Sequence, residues 1–244
     1  MSKSVSKAPP PVKTIPLSEI SALSSGGLYW SDKKILCVSD LHFGKTHRLN
    51  RTGAGALPPY ENIDTLKRLQ ADICATNPSC VICLGDSFDD RIAEQSFNNA
   101  ETHLLKILQK DRDWIWISGN HDPYPSLQFG ESISSFSKSP ITFRHIALKG
   151  EIGEISGHYH PKISINLSNA QITRACFVAD QKRVIMPAYG TYTGGLSVRS
   201  DEIKVLFEND ATVMLTGNKI RTVPYLSLIH ISEPTRPLYI SYAV

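Results

Sequence analysis

Three short apolar segments in the first half of the chain each end at a cluster of acidic, amide or imidazole side chains. The segments cover residues 34–38, 81–84 and 114–117, and their composition is typical of strands buried on both faces. In an open α/β sheet, ligands bind in the crevice outside the carboxyl ends of the strands. We therefore expect the three clusters to converge on one site. The clusters are Asp40 and His42, then Asp86 and Asp89, then Asn120, His121 and Asp122.

The sequence between these segments predicts helices, which gives the first half a β-α-β-α-β order. Between Pro59 and Asn77 the apolar residues recur at steps of three and four, which predicts one helix, and residues 93–110 predict another. After Pro140 the pattern changes to short strands, predicted at residues 141–145, 171–178, 183–186, 204–207 and 212–215. This half indicates a second, mostly antiparallel sheet, so the fold class is α/β.

Composition excludes several classes of protein but identifies no substrate. The 244 residues are 41% apolar, which is enough for one core without disulfides. The formal charge is only +3, without a basic block, so charge alone does not indicate nucleic acid. No segment approaches the roughly 18 apolar residues of a membrane helix, and the five cysteines are typical of reduced thiols. We expect a cytoplasmic protein, with Cys80 and Cys83 in a strand rather than in a zinc or redox pair.

The two ends of the chain are interpreted separately from the domain. Residues 1–12 carry little that could be buried, which predicts a disordered lead-in. Residues 226–244 resemble a translated sequencing adapter, so we predict a non-native tail and discount His230 as a ligand. One domain is then expected over residues 13–225.

Three further histidines lie in the second half, where His145 closes a predicted strand and His158 and His160 share a turn. Each motif is weak by itself, because a lone histidine is more often structural than a ligand. Taken together, the motifs would bury several carboxylates and imidazoles, and each poorly paired charge would cost several kcal/mol. A pair of divalent cations removes that cost. The mixed oxygen and nitrogen donors suit Mn²⁺, Fe or Zn²⁺.

In this order, the motifs resemble those of the calcineurin-like metallophosphoesterases. The resemblance implies a four-layer α-β-β-α sandwich with two mixed sheets and a dimetal site at the strand C-terminal ends. It also implies that His121 is the catalytic histidine, oriented by Asp89 or Asp122. One metal would be held by Asp40, His42, Asp86 and His160, and the other by Asp86, Asn120, His145 and His158, with Asp86 bridging.

A closer similarity connects the chain to the bacterial ligase-associated DNA damage response endonuclease subfamily. It rests on residues 40–45, 57–59, 157–161 and 187–196, and extends from about Pro16 to Pro224. It implies a metal-dependent phosphodiesterase associated with DNA ligase and helicase repair proteins. The second motif lacks the Asp-Arg-Gly of serine/threonine protein phosphatases, and Asp122 stands where those enzymes have glutamate, so a phosphoprotein substrate is disfavoured.

These residues suggest a hydrolytic mechanism with Mn²⁺ as the first choice of metal and Fe or Zn²⁺ as alternatives. A metal-activated hydroxide would attack phosphorus, and His121 would protonate the leaving oxygen. The basic residues Lys45, Arg48 and Arg51 either receive substrate phosphates or lie in a solvated loop.

The residues alone leave three functions open. The first is a phosphodiesterase acting on DNA or nucleotides, the second a small-molecule or nucleotide phosphomonoesterase, and the third a noncatalytic scaffold of the same fold. Tyr189 and Tyr192 either line the substrate pocket or are buried aromatic residues. Gly194 and Gly195 predict backbone freedom or a tight strand crossing near the site.

Overall fold

The computed structural model describes residues 18–55, 57–123, 129–167, 170–208 and 210–229. The predicted lead-in, residues 1–12, and most of the predicted tail, residues 230–244, lie outside the described residues. The domain boundaries at 13 and 225 therefore stay predictions. No helix in the described part of the chain is long and apolar enough to cross a membrane.

The first sheet has six strands in sequential order. Strands β3 to β6 run parallel to one another, while β1 and β2 are antiparallel additions at one edge. The three segments predicted as buried strands are β3, β4 and β5, and both Cys80 and Cys83 lie in β4 as expected. The strands are β1 (Ile20–Ala22), β2 (Leu28–Trp30), β3 (Ile35–Val38), β4 (Cys80–Leu84), β5 (Asp113–Ile117) and β6 (Ser132–Ile133).

The second sheet has eight strands and is mostly antiparallel, as predicted, with a parallel centre in which β9 pairs with β8 and β12. Both sheets are therefore mixed. Its strands are β7 (Ser135–Lys138), β8 (Ile141–Arg144), β9 (Glu154–Ser156), β10 (Lys162–Leu167), β11 (Ala170–Ala179), β12 (Arg183–Ile185), β13 (Thr212–Leu215) and β14 (Arg221–Pro224).

Helices cover the outer faces of both sheets, which produces the α-β-β-α layering. Two longer helices pack on the first sheet, and two short helices contribute Ile203 and Tyr225 to the outer cluster of the second. The helices are α1 (Lys45–Thr52), α2 (Glu61–Thr76), α3 (Asn99–Gln109), α4 (Asp201–Lys204) and α5 (Tyr225–Ile229).

The alternation of side chains along β3 explains why this strand is apolar throughout. Ile35 and Cys37 face the second sheet, whereas Leu36 and Val38 face the helices α2 and α3. Successive side chains of a strand point to opposite faces, so a strand covered on both sides has no polar face. The polar residues follow where the strand leaves this core, and the first of them are Ser39 and Asp40.

The predicted helix over residues 93–110 is interrupted. A 3₁₀ turn covers Ala93–Ser96, and α3 begins only at Asn99. The cause is a capping box, in which the Asn98 side chain accepts from the Glu101 N–H at 2.9 Å and the Glu101 carboxylate accepts from the Asn98 N–H at 3.0 Å. Asn98 therefore starts a new helix instead of continuing the turn.

The predicted strand at residues 204–207 is wrong. Lys204 ends the short helix α4, and residues 205–206 form a turn. Asp201 and Glu202 stand in the first turn of α4, where negative charge stabilises a helix, and Val205 is 57% exposed. The apolar residues of this segment therefore do not form a strand of the sheet, although their composition predicted one.

Candidate metal centre

The loops that leave the strands hold several polar residues in left-handed backbone conformations. Residues other than glycine seldom adopt positive φ, and such backbone concentrates at functional sites because the surroundings must compensate for its cost. The residues and their φ angles are Asp40 at 52°, His42 at 47°, Asp86 at 45°, His158 at 71° and His160 at 45°. All five are among the predicted metal ligands.

The first group of ligand atoms comes from Asp40, His42 and His160, each of which offers one atom within 4.8 Å of the others. The Nε2 atom of His160 lies 3.0 Å from Asp40 Oδ1, without the alignment of a hydrogen bond. The Nε2 atoms of His42 and His160 are buried and have no hydrogen-bond partner among the described residues. Unsatisfied buried nitrogens are costly, so these two atoms fit a bound cation.

The second group consists of Asp86, His145 and His158, again with ligand atoms within 4.8 Å. His145 donates its Nδ1–H to the Leu84 carbonyl at 2.8 Å, which leaves Nε2 facing the group. That Nε2 atom lies 3.3 Å from Asp86 Oδ2 and 3.2 Å from His158 Nδ1. Two imidazole nitrogens and a carboxylate thus converge, as for a divalent metal with nitrogen and oxygen ligands.

The electrostatics of this second group favour a positive charge. Burial by itself lowers the pKa of His145, but the carboxylates of Asp86 and Asp40 outweigh it and raise that pKa to about 9. Burial opposes ionisation of Asp86 as well, yet hydrogen bonding and charge from His145 hold the pKa of this carboxyl well below its usual range. The site therefore attracts cations despite being buried.

The Asp89 carboxylate contacts His42, a predicted metal ligand, and not His121, the predicted catalytic histidine. Its Oδ1 accepts the Nδ1–H of His42 at 2.8 Å, and its Oδ2 accepts from the Nε–H of Arg48. Burial raises the pKa of Asp89, but these two partners lower it below the usual value. A carboxylate bound to the far nitrogen of a ligating histidine fixes the tautomer and the ring orientation. The motifs alone did not predict that Asp89 orients His42, because the two residues are 47 positions apart in the sequence.

His121 is exposed and is anchored by backbone contacts. Its Nδ1 donates to the carbonyl oxygen of Asp89 at 3.0 Å, and its main-chain N–H donates to Asp86 Oδ1 at 2.8 Å. Of the two residues predicted to orient the ring, Asp89 contacts it, through its main-chain carbonyl oxygen and not through its carboxylate. The ring lies edge-on to His42, with 5.2 Å between the ring centroids.

Asp122 joins the second and third motif loops. Its carboxylate accepts hydrogen bonds from the main-chain N–H groups of Asp86 at 2.9 Å, Ser87 at 2.8 Å and Gly119 at 2.8 Å. Burial dominates over these bonds and raises the pKa of Asp122 to about 6. Its observed contacts are those of a residue that shapes the site, and its predicted catalytic role stays a prediction.

The remaining predicted residues lie around this centre. Asn120 is exposed on the loop between Gly119 and His121, and its place in the second ligand group stays a prediction. Lys45, Arg48 and Arg51 lie on helix α1 and not in a loop. Arg48 is paired with Asp89 and Arg51 with Asp90, whereas Lys45 has no carboxylate oxygen within 4 Å in the described part of the chain.

The segment at residues 187–196 packs against the centre through its backbone. Tyr189 is fully buried and donates its hydroxyl to Asp72 Oδ2 at 2.8 Å, so it does not line an open pocket, while Tyr192 is 37% exposed. A Cβ at Gly195 would collide with the carbonyl oxygen of His160. This close approach explains the glycine predicted to allow a tight crossing.

The family is decided by comparison with known proteins. The family model described as calcineurin-like phosphoesterase matches residues 33–217. The chain belongs to the calcineurin-like phosphoesterases. This phosphoesterase is therefore a metal-dependent hydrolase of phosphate esters, and the family resemblance of the motifs is confirmed.

The same fold occurs in a solved structure of a bacterial enzyme. The crystal structure of the nuclease MPE of Pseudomonas putida superimposes with a TM-score of 0.66 and 22% sequence identity, covering 84% of this phosphoesterase and 94% of that chain. A comparison with curated protein sequences gave no match.

The contact between Asp89 and His42 generates the first prediction. Replacing Asp89→Asn removes the charge that holds His42 and Arg48, so the affinity for Mn²⁺ should fall by about 10–100-fold. The matched control is Asp90→Asn, which removes the partner of Arg51 at the adjacent position and should leave Mn²⁺ affinity close to that of the parent. Isothermal titration of both variants with Mn²⁺ measures this difference, and equal affinities would contradict the orienting role of Asp89.

Proposed function

We propose that this phosphoesterase hydrolyses phosphodiester bonds in DNA or nucleotides with two divalent cations, Mn²⁺ being the first choice and Fe or Zn²⁺ the alternatives. The observation that carries the proposal is the adjacency of the two ligand groups. His145 Nδ1 lies 3.9 Å from Asp40 Oδ1 in the first group, and its Nε2 lies 3.3 Å from Asp86 Oδ2 in the second. Such proximity supports two cations that act on one phosphate.

The ligand assignment is the one that the motifs predict. Asp40, His42 and His160 would hold one cation and His145, His158 and Asn120 the other, with Asp86 shared between them. The two orphaned Nε2 atoms support this assignment for the first group. Divalent cations in such a pair supply a hydroxide at neutral pH and neutralise charge on the phosphoryl oxygens.

His121 is the proposed proton donor to the leaving oxygen. Its Nδ1–H is engaged by the Asp89 carbonyl, so the proton available to the substrate is the one on Nε2 of the protonated ring. The side chain is exposed, as a group that contacts substrate must be, and it adjoins the ligand groups through the His121 N–H bond to Asp86. Imidazole exchanges protons readily near neutral pH, which suits general acid catalysis.

A nucleic-acid or nucleotide diester is supported by two likenesses. The motifs resemble the ligase-associated DNA damage response endonucleases, and the fold is that of a protein named as a nuclease. On the same basis we propose a cytoplasmic role in DNA repair, with DNA ligase and helicase proteins as functional partners. Lys45 on α1, together with Arg48 and Arg51, would receive substrate phosphates beside the centre.

The choice between diester and monoester is tested with paired chromogenic substrates. With Mn²⁺ present, we expect the full chain to hydrolyse bis-p-nitrophenyl phosphate, and to lose that activity when EDTA removes the metal. Hydrolysis confined to p-nitrophenyl phosphate would reject the diesterase proposal and assign a phosphomonoesterase.

The acid role of His121 is tested through the leaving group. His121→Ala should lower the turnover of a dinucleotide, whose alkoxide leaving group needs a proton, by about 10²–10⁴-fold. The loss on bis-p-nitrophenyl phosphate should be much smaller, because nitrophenolate leaves without protonation. His103→Ala, on the exposed surface of α3, is the matched control and should behave as the parent. Equal losses of His121→Ala on both substrates would argue against proton donation.

A further inference from the structure

Two stretches of the sequence that include strands of the second sheet contain no acidic residue. Neither residues 155–179 nor residues 211–232 include an aspartate or a glutamate. The fold brings them together, because β11 of the first stretch pairs with β13 of the second, with Cys176 opposite Leu215. The two hairpins β10–β11 and β13–β14 therefore form one surface without negative side chains.

A concave groove of about 610 Å³ lies on this surface. Its floor is apolar, formed by Ile165, Ile172 and Leu215, and Ile165 is 37% exposed. Ile165 is directly opposite Ile172 across the β10–β11 hairpin, so these two side chains share one face of the sheet. The groove is thus a built feature of the paired strands.

Three basic residues line the groove: Arg174, Lys219 and Arg221. Arg221 stands opposite Leu215 across β13 and β14, which places it on the same face as the apolar floor. In the part of the chain that the structure describes, none of the three has a carboxylate oxygen within 4 Å. Arg48 and Arg51 on α1, in contrast, are each paired with an aspartate.

Main-chain hydrogen bonds tie the strands that carry the groove to chain segments beside the metal centre. The Cys176 N–H donates to the carbonyl of Pro161, the residue after His160, at 3.0 Å. The turn between β13 and β14 contacts the turn between β1 and β2, because the Gly217 N–H donates to the Ser24 carbonyl at 3.2 Å. Ser24 lies just before β2, whose first residue Leu28 pairs with Cys37. Cys37 is three residues before Asp40, so this turn is near the metal centre.

We propose that this groove is a second subsite that binds the phosphates of a nucleic-acid single strand extending from the metal centre. The inference deepens the proposed function and rests on it for the direction of the strand. Unpaired cations select a polyanion, and an apolar floor with adjacent guanidinium groups suits bases, which only a single strand exposes. A duplex would present its phosphates to the cations, but its stacked bases could not contact Ile165 and Ile172.

The test is binding of a fluorescein-labelled single-stranded oligonucleotide of roughly 16 nucleotides, measured by anisotropy in EDTA so that no cleavage occurs. The variant combines Arg174→Gln, Lys219→Gln and Arg221→Gln in the full chain. Each phosphate contact on a single strand contributes a factor of about 5 in affinity at about 0.1 M salt. The variant should therefore bind about a hundredfold more weakly, with a salt slope shallower by about 2.

The matched control neutralises three exposed lysines on the helices that cover the other sheet, Lys67→Gln, Lys106→Gln and Lys110→Gln. It has the same change in net charge and should retain the affinity and salt slope of the parent. A groove variant that binds the oligonucleotide as tightly as the control overturns the inference, and the groove would then belong to another anion, such as an acidic protein segment.

Hydrolysis of bis-p-nitrophenyl phosphate separates failure of the groove from failure of the proposed function. Hydrolysis of this small diester requires only the metal centre, so the groove variant should turn it over at the parent rate, which also shows that it is folded. If the parent itself hydrolyses no diester, the proposed function fails, while the anisotropy comparison still decides the groove. Thermal unfolding followed by circular dichroism then confirms that the variant is folded.

Discussion

The burial of three carboxylates, Asp40, Asp86 and Asp89, in one small volume is the constraint on which the rest of the structure depends. Each is at most 4% exposed. Removing a carboxylate from water disfavours its charged form, and neighbouring like charges add to that cost. Asp89 is compensated within the chain by His42 and Arg48. Asp40 and Asp86 face imidazole groups instead. The Nε2 atoms of His42 and His160 have no hydrogen-bond partner among the described residues, which favours divalent cations as the compensating charge.

The loops are shaped to hold these groups in place, mainly by main-chain bonds. The Asp122 carboxylate ties the second motif to the third, and the Leu84 carbonyl sets the ring of His145. A Cβ at Gly157 would collide with Ser39 and Asp40, so the loop carrying His158 can approach the first motif only through a glycine. Rigid strands that end at one edge, together with these bonds, supply the preorganisation that a catalytic site needs.

The parts of the fold that were predictable from sequence are those with strong periodicity. The segments that became β3 and β4 are buried throughout, and β5 is buried at its carboxyl end, so their apolar runs were unambiguous. Residues 93–110 and 204–207 were misjudged because a local cap at Asn98 and exposure of Val205 decide their structure, and neither is visible in hydrophobic spacing. The motif order brought the ligand residues together, but the role of the Asp89 carboxylate depends on contacts between distant loops. The basic groove was also hidden, because its cations belong to hairpins that only the fold makes adjacent.

The proposed metal centre requires each ligand group to bind one divalent cation. The most direct measurement is a crystal structure of the full chain grown with Mn²⁺, with anomalous difference density recorded at the manganese edge. We expect two peaks about 3.5–4 Å apart. One should lie among Asp40, His42 and His160, and the other among Asp86, His145 and His158. A single peak, or none at these side chains, would show that the two ligand groups do not hold a pair of cations.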